Sequence, residues 1–199
     1  MERWPRYLVR LMALLLVLVA APASASLLVY STLLSGAAES PPNGSPGTGS
    51  GMVTIDTAAH TMLVDVTFSG LLSPVTAAHI HCCTSAAGSG TAIVATQTPS
   101  FLGFPAGVTA GTYSHTFDLL DATSWNATFI TAFGNVSDAE AALLLGLSEG
   151  KAYLNIHTSQ FPGGEIRGFL ASNQVPEPRT LWLAGLALIV LALAQRRTA

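Results

Sequence analysis

Residues 61–68 alternate without a break. Met62, Val64, Val66 and Phe68 fall on one side of an extended chain, and Thr61, Asp65 and Thr67 fall on the other. A period of two is the signature of a strand with one face in a core and one in water, so this stretch commits the chain to a sheet with a buried face. Residues 51–57 before it are β-rich, and the few residues around Ala58 to His60 suit a hairpin connection. Further strands are predicted at 27–35, 75–82, 91–96, 111–119, 152–157 and 165–171. They are separated by Gly, Pro and Ser, and residues 40–50, with three prolines and three glycines, read as loop. About eight short strands in this rhythm predict an all-β protein, an antiparallel β-sandwich, rather than a βαβ arrangement. One short helix is predicted in the series, where Ser137-Asp-Ala-Glu140 forms a capping box ahead of residues 141–147 with Gly150 beyond them.

The two ends have a different character. Arg3, Arg6 and Arg10 precede an apolar stretch at 11–21 and then Ala23-Ser24-Ala25, the small-x-small pattern cut by signal peptidase. The apolar stretch is about half of the roughly 20 residues needed to span a bilayer, so residues 1–25 are predicted to be a signal peptide cleaved after Ala25. The far end runs through Pro176-Glu177-Pro178, an apolar helix at 181–194, and Arg196 and Arg197. This tripartite tail, assigned to residues 173–199, resembles the PEP-CTERM sorting signal. The resemblance implies recognition by exosortase, transient membrane anchoring through the helix with the basic end inside, and delivery to the surface or extracellular matrix of a Gram-negative bacterium.

Between the ends lie about 150 residues, the size of one domain. Six of the eight basic residues belong to the terminal signals. From Ser26 to Val175 only Lys151 and Arg167 oppose nine acids, leaving the domain at −7 with neutral histidines. A phosphate backbone would be repelled by such a surface, which argues against nucleic acid as a partner. Cys82 and Cys83 are adjacent and cannot staple distant parts of a fold. In an exported protein they can form a vicinal disulfide, pair with another chain, ligate a metal, or remain as two reduced, half-buried side chains.

His79 and His81 project from the same face of an extended strand, their β-carbons about 7 Å apart. Two imidazoles so placed can converge on one copper or zinc ion. His157 on another strand can supply a third ligand, and Glu165 a fourth or an acceptor that orients an imidazole. The alternative is that the rings hydrogen-bond to backbone, to Asn155 or to each other and hold a loop. Glu165 and Arg167, two apart, can pair with each other or with other charges, or contact a ligand. His60 in the hairpin loop and His115 between Tyr113 and Phe117 are expected to have surface and packing roles. The chain contains no Gly-x-Ser-x-Gly elbow, His-Glu-x-x-His pair or phosphate-cradling loop with Lys, and no catalytic residue is predicted.

The strings AHIH at 78–81, YLNIHT at 153–158 and PGGEIRG at 162–168, with Glu39-Ser-Pro-Pro-Asn43 and Phe68-Ser-Gly-Leu71, are similar to the CHRD domain named for chordin. The similarity covers residues 26–172. It implies an immunoglobulin-like or superoxide-dismutase-like sandwich in a secreted or surface protein, with no catalytic activity securely attached. His79, His81, His157, Glu165 and Arg167 fall on its signature positions without an agreed role, and Cys82-Cys83 stands where the general pattern has a Gly-rich loop. Two functions are therefore expected. One is a non-enzymatic surface domain that binds extracellular polysaccharide or an envelope protein. The other is a copper- or zinc-binding protein with dismutase-like redox activity.

Overall fold

A computed structural model describes residues 27–173. The expected signal peptide at 1–25, the Pro176-Glu177-Pro178 motif and the expected helix at 181–194 lie outside the described residues. The strands are β1 (Leu27–Ser35), β2 (Thr48–Asp56), β3 (Thr61–Ser69), β4 (Val75–His81), β5 (Gly111–Asp118), β6 (Tyr153–Thr158), β7 (Ile166–Phe169) and β8 (Ala171–Ser172). Two helices, α1 (Ala127–Phe133) and α2 (Val136–Ser148), stand between β5 and β6. The strands form one antiparallel sheet ordered β4-β6-β7-β1-β2-β3-β5, with β8 alongside β1. The all-β, antiparallel expectation holds, and its two layers are two halves of one sheet curled on itself. Gly51 on β2 marks the closure, because a Cβ there would strike the Leu154 side chain of β6 across the core.

The alternation at 61–68 sets the inward face. Met62, Val64, Val66 and Phe68 are buried and stand opposite Ile55, Val53, Gly51 and Gly49 of β2. Aromatic rings close one end of the core, where Phe101 and Phe104 pack against Tyr113. Leu143 and Leu147 of α2 and Phe129 of α1 join the same cluster. Among the described residues no helix is long and apolar enough to cross a membrane.

Three local expectations change. Residues 91–96 form no strand. They follow β4 through isolated bonds, Cys82 N–H to the Ile93 carbonyl, Ala95 N–H to the Ile80 carbonyl and Ile80 N–H to the Thr96 hydroxyl. A hydroxyl replaces a carbonyl in the ladder and Pro99 brings no N–H, so the segment covers the β4 edge without extending the sheet. The cap of α2 is Asn135, whose side chain accepts from Asp138 N–H, and Ser137 lies in the first turn. Helix α1 is additional to the one helix expected. Asn126 caps it by accepting from Thr128 N–H, and burial of Phe129 against Trp125, with parallel rings 6.1 Å apart, holds it.

Candidate metal centre

The register of β4, β6 and β7 assembles the site. His79 stands opposite Asn155, which stands opposite Arg167, while His81 faces Tyr153 and His157 faces Ala77. Residues two apart on a strand share a face, so the three histidines, Tyr153, Asn155 and Arg167 form one polar layer. Ala77 offers no bulk opposite His157, whose ring meets His79 edge to face at 4.9 Å between centroids. One ring nitrogen from each of His79, His81 and His157 lies within 4.8 Å of the other two, and all three side chains are buried.

Each ring is held by one backbone carbonyl. His79 Nε2 is 2.7 Å from the Pro99 oxygen, His81 Nδ1 is 2.9 Å from the Ala92 oxygen and His157 Nδ1 is 2.9 Å from the Pro162 oxygen. A carbonyl only accepts, so the bonded nitrogen carries the proton and, in a neutral ring, the other carries a bare lone pair. Those other nitrogens, His79 Nδ1, His81 Nε2 and His157 Nε2, are buried with no hydrogen-bond partner. Neutrality is enforced by burial, which lowers His79 and His81 from 6.5 to about 4 against the opposing pull of their carbonyls, and which also lowers His157. Repulsion from neighbouring imidazoles adds to the effect at His79 and His81.

Arg167 builds the rest of the layer. Its Nε donates to the Ala38 carbonyl at 2.5 Å and its Nη1 to the Gly90 carbonyl at 3.0 Å. The guanidinium lies 4.7 Å from the Tyr153 ring centroid, a cation–π contact. Its carboxylate neighbour is Glu39, with Nε to Oε2 at 3.8 Å. Burial raises Glu39 to about 7, outweighing the attraction of Arg167 at that distance.

Glu165 stands apart from the histidines and from Arg167. It is fully buried and accepts from the Ser45 hydroxyl, Leu72 N–H and the Thr158 hydroxyl, each at 2.6 Å. It ties the 40–47 loop and the 70–74 turn to β6. The Cys82 and Cys83 sulfurs are bonded to each other, and a Cβ at Gly146 of α2 would collide with both. His60 Nδ1 lies 2.9 Å from Glu140, and His115 packs against Phe117 at 4.6 Å. Tyr153 and Glu39 are the participants that sequence reasoning passed over. Tyr153 shares the i, i+2, i+4 face with Asn155 and His157, a pattern readable in the string YLNIHT.

The family model of the CHRD domain matches residues 30–170, most of the chain. The chain belongs to the CHRD domain family. The histidine cluster, Glu39, Glu165 and Arg167 all fall inside the CHRD match. A PEP-CTERM protein-sorting motif matches residues 174–197, which marks this CHRD protein for export to the cell envelope or surface and for processing by exosortase. No curated protein and no solved structure matches the chain.

Proposed function

We propose that this exported CHRD domain binds a late transition metal, copper or zinc, through His79, His81 and His157. The observation that carries this reading is the set of three buried lone pairs, on His79 Nδ1, His81 Nε2 and His157 Nε2, that meet no donor while their partner nitrogens are anchored to carbonyls. Buried polar atoms are otherwise almost always satisfied, and rings that only anchored loops would not need to converge. Metal-bound histidines commonly donate their second N–H to a carbonyl in this way. All-imidazole ligation suits copper and zinc and disfavours calcium and magnesium, which prefer oxygen. A bond of about 2.0–2.1 Å to each nitrogen calls for a small inward shift of the rings. Bound copper would supply one-electron chemistry and bound zinc a Lewis acid, while the chain holds three neutral rings in fixed tautomers.

The test is elemental analysis of untagged protein with isothermal titration of copper and zinc. One ion per chain, lost in His81→Ala and His157→Ala, supports the reading. Less than about 0.1 ion per chain, with no saturable uptake, sinks it.

A second reading places matrix polysaccharide or an envelope protein on the outer face of the sheet. A groove of about 1020 Å³ crosses β1, β2, β3 and β5 there, with Ser31, Ser50, Thr67, Thr112 and Ser114 presenting hydroxyls beside Asp65. Signal-peptidase cleavage after Ala25 and a Gram-negative matrix as the destination complete this proposal. Retention on immobilised exopolysaccharide that survives Thr67→Lys would count against the groove.

A further inference from the structure

The charge and number of the ligands determine what else the ion must bind. The cluster has three members, and all three are imidazoles, each with one unbonded nitrogen, which ligate a metal as neutral donors. Among the described residues no carboxylate joins the cluster: Glu39 lies beside Arg167, and Glu165 accepts from Ser45, Leu72 and Thr158. Cys82 follows His81 in the chain, but its side chain is in the core on the opposite face of β4 and its sulfur is bonded to Cys83. A divalent ion would thus bring its full charge into a layer whose histidines are 6–9 % exposed, with the Arg167 cation lying over Tyr153, the ring on which His81 stacks. Uncompensated buried charge is costly. Closed structural zinc sites have four protein ligands, whereas sites with three keep one position for an exogenous group.

We propose that a divalent ion at this centre takes a small monodentate anion from solution as its fourth ligand, making the CHRD site an anion-accepting open centre. The proposal rests on the metal reading above. The three unbonded nitrogens are shut off from solvent and their rings are nearly so, so an ion of a few atoms is expected to reach the centre more readily than a bulky one.

The experiment loads the full chain with Co²⁺ in place of the native ion and follows its visible ligand-field bands while azide is added. Cobalt content is measured on the same sample. Expected is one cobalt per chain and a saturable, isosbestic change in band position on adding azide, with bulky benzoate producing no change. Full cobalt occupancy with bands indifferent to azide overturns this inference and leaves the metal reading intact. Failure to take up cobalt, copper or zinc overturns the metal reading and this inference with it. Should His157→Ala fail to fold, His157→Gln keeps a polar group near Pro162 and is expected to lose the azide response with its cobalt. An azide response that persists in a folded His157→Gln protein also overturns the proposal.

Discussion

The imidazole of His81 lies flat on the ring of Tyr153, 4.7 Å between centroids and 3° between planes. The same tyrosine accepts from Ala92 N–H at 3.3 Å, and the Ala92 carbonyl accepts from His81 Nδ1. One residue therefore supports both the face of the ring and the carbonyl that fixes its tautomer. Tyr153→Leu is expected to weaken metal binding about 10–100-fold, the usual cost of losing an outer-shell support. Tyr153→Phe, which keeps the stack and loses only the hydroxyl, should cost less. Competition against a chromophoric chelator measures both, and equal affinities in all three proteins would exclude the role.

Without metal, the protein should lose stability as the solution is acidified. The unfolded chain protonates His79 and His81 near 6.5, whereas the folded chain resists until about 4. Between those values the unfolded state binds more protons, so stability falls with falling pH and levels off below about 4. The total loss is expected to be on the order of 3–5 kcal/mol, from the size of the shifts and their coupling. Urea midpoints across this range check it, and a flat profile would contradict the buried, neutral state of the rings.

Glu39 works in the other direction. Its folded value of about 7 lies above its ordinary 4.5, so the folded state holds the extra proton and the associated stability, full below 4.5, is lost as pH rises through about 7. Glu39→Gln removes that dependence. Relative to the parent, the variant should gain on the order of 1 kcal/mol between those values, discounted for solvent screening. Parallel urea curves for the two proteins at both ends of the range decide the matter.

At Glu165, three donors converge on one carboxylate in a fully buried position. Glu165→Gln turns one acceptor atom into a donor facing donors, and should destabilise by about 2–3 kcal/mol. Metal stoichiometry should be unchanged, because this residue stands outside the histidine cluster. A variant that folds normally but loses its metal would return Glu165 to the ligand set.

Gly146→Ala should also destabilise the fold, since the new methyl would meet both sulfurs of the Cys82–Cys83 pair. Overpacking of this kind typically costs about 1–3 kcal/mol. Thermal unfolding gives the measure, and an unchanged midpoint would mean that α2 can move away from the disulfide.

Much of this architecture could be read from local pattern. The strict alternation of residues 61–68 is a one-dimensional signal, and the turn residues Gly36, Pro74 and Gly111 mark the end of β1 and the starts of β4 and β5. The pairing of His79 with His81 follows from strand geometry alone. His157 joins them because β4 and β6 are neighbours in the sheet, a relation between distant segments that no local period records. The same limit explains Arg167, whose carboxylate neighbour is Glu39 from the loop after β1 and not Glu165 two residues away. Helix α1 was illegible for a different reason. Its Thr128 and Thr131 are poor helix formers, and what holds it is the burial of Phe129 in a cleft formed by the rest of the fold. The carbonyls of Ala92, Pro99 and Pro162 belong to irregular backbone, where side-chain type says little about direction.

The proposed ligands come from β4 and β6, with residues 82–152 running between them. An ion seated there is therefore a staple across that long excursion, which carries the disulfide, β5 and both helices. Such an ion would bind only the assembled state and would draw free energy from whatever concentration surrounds the cell. Metal supply outside would then set how readily proteases can open this stretch, so the lifetime of the protein on the surface becomes a reading of the medium around it.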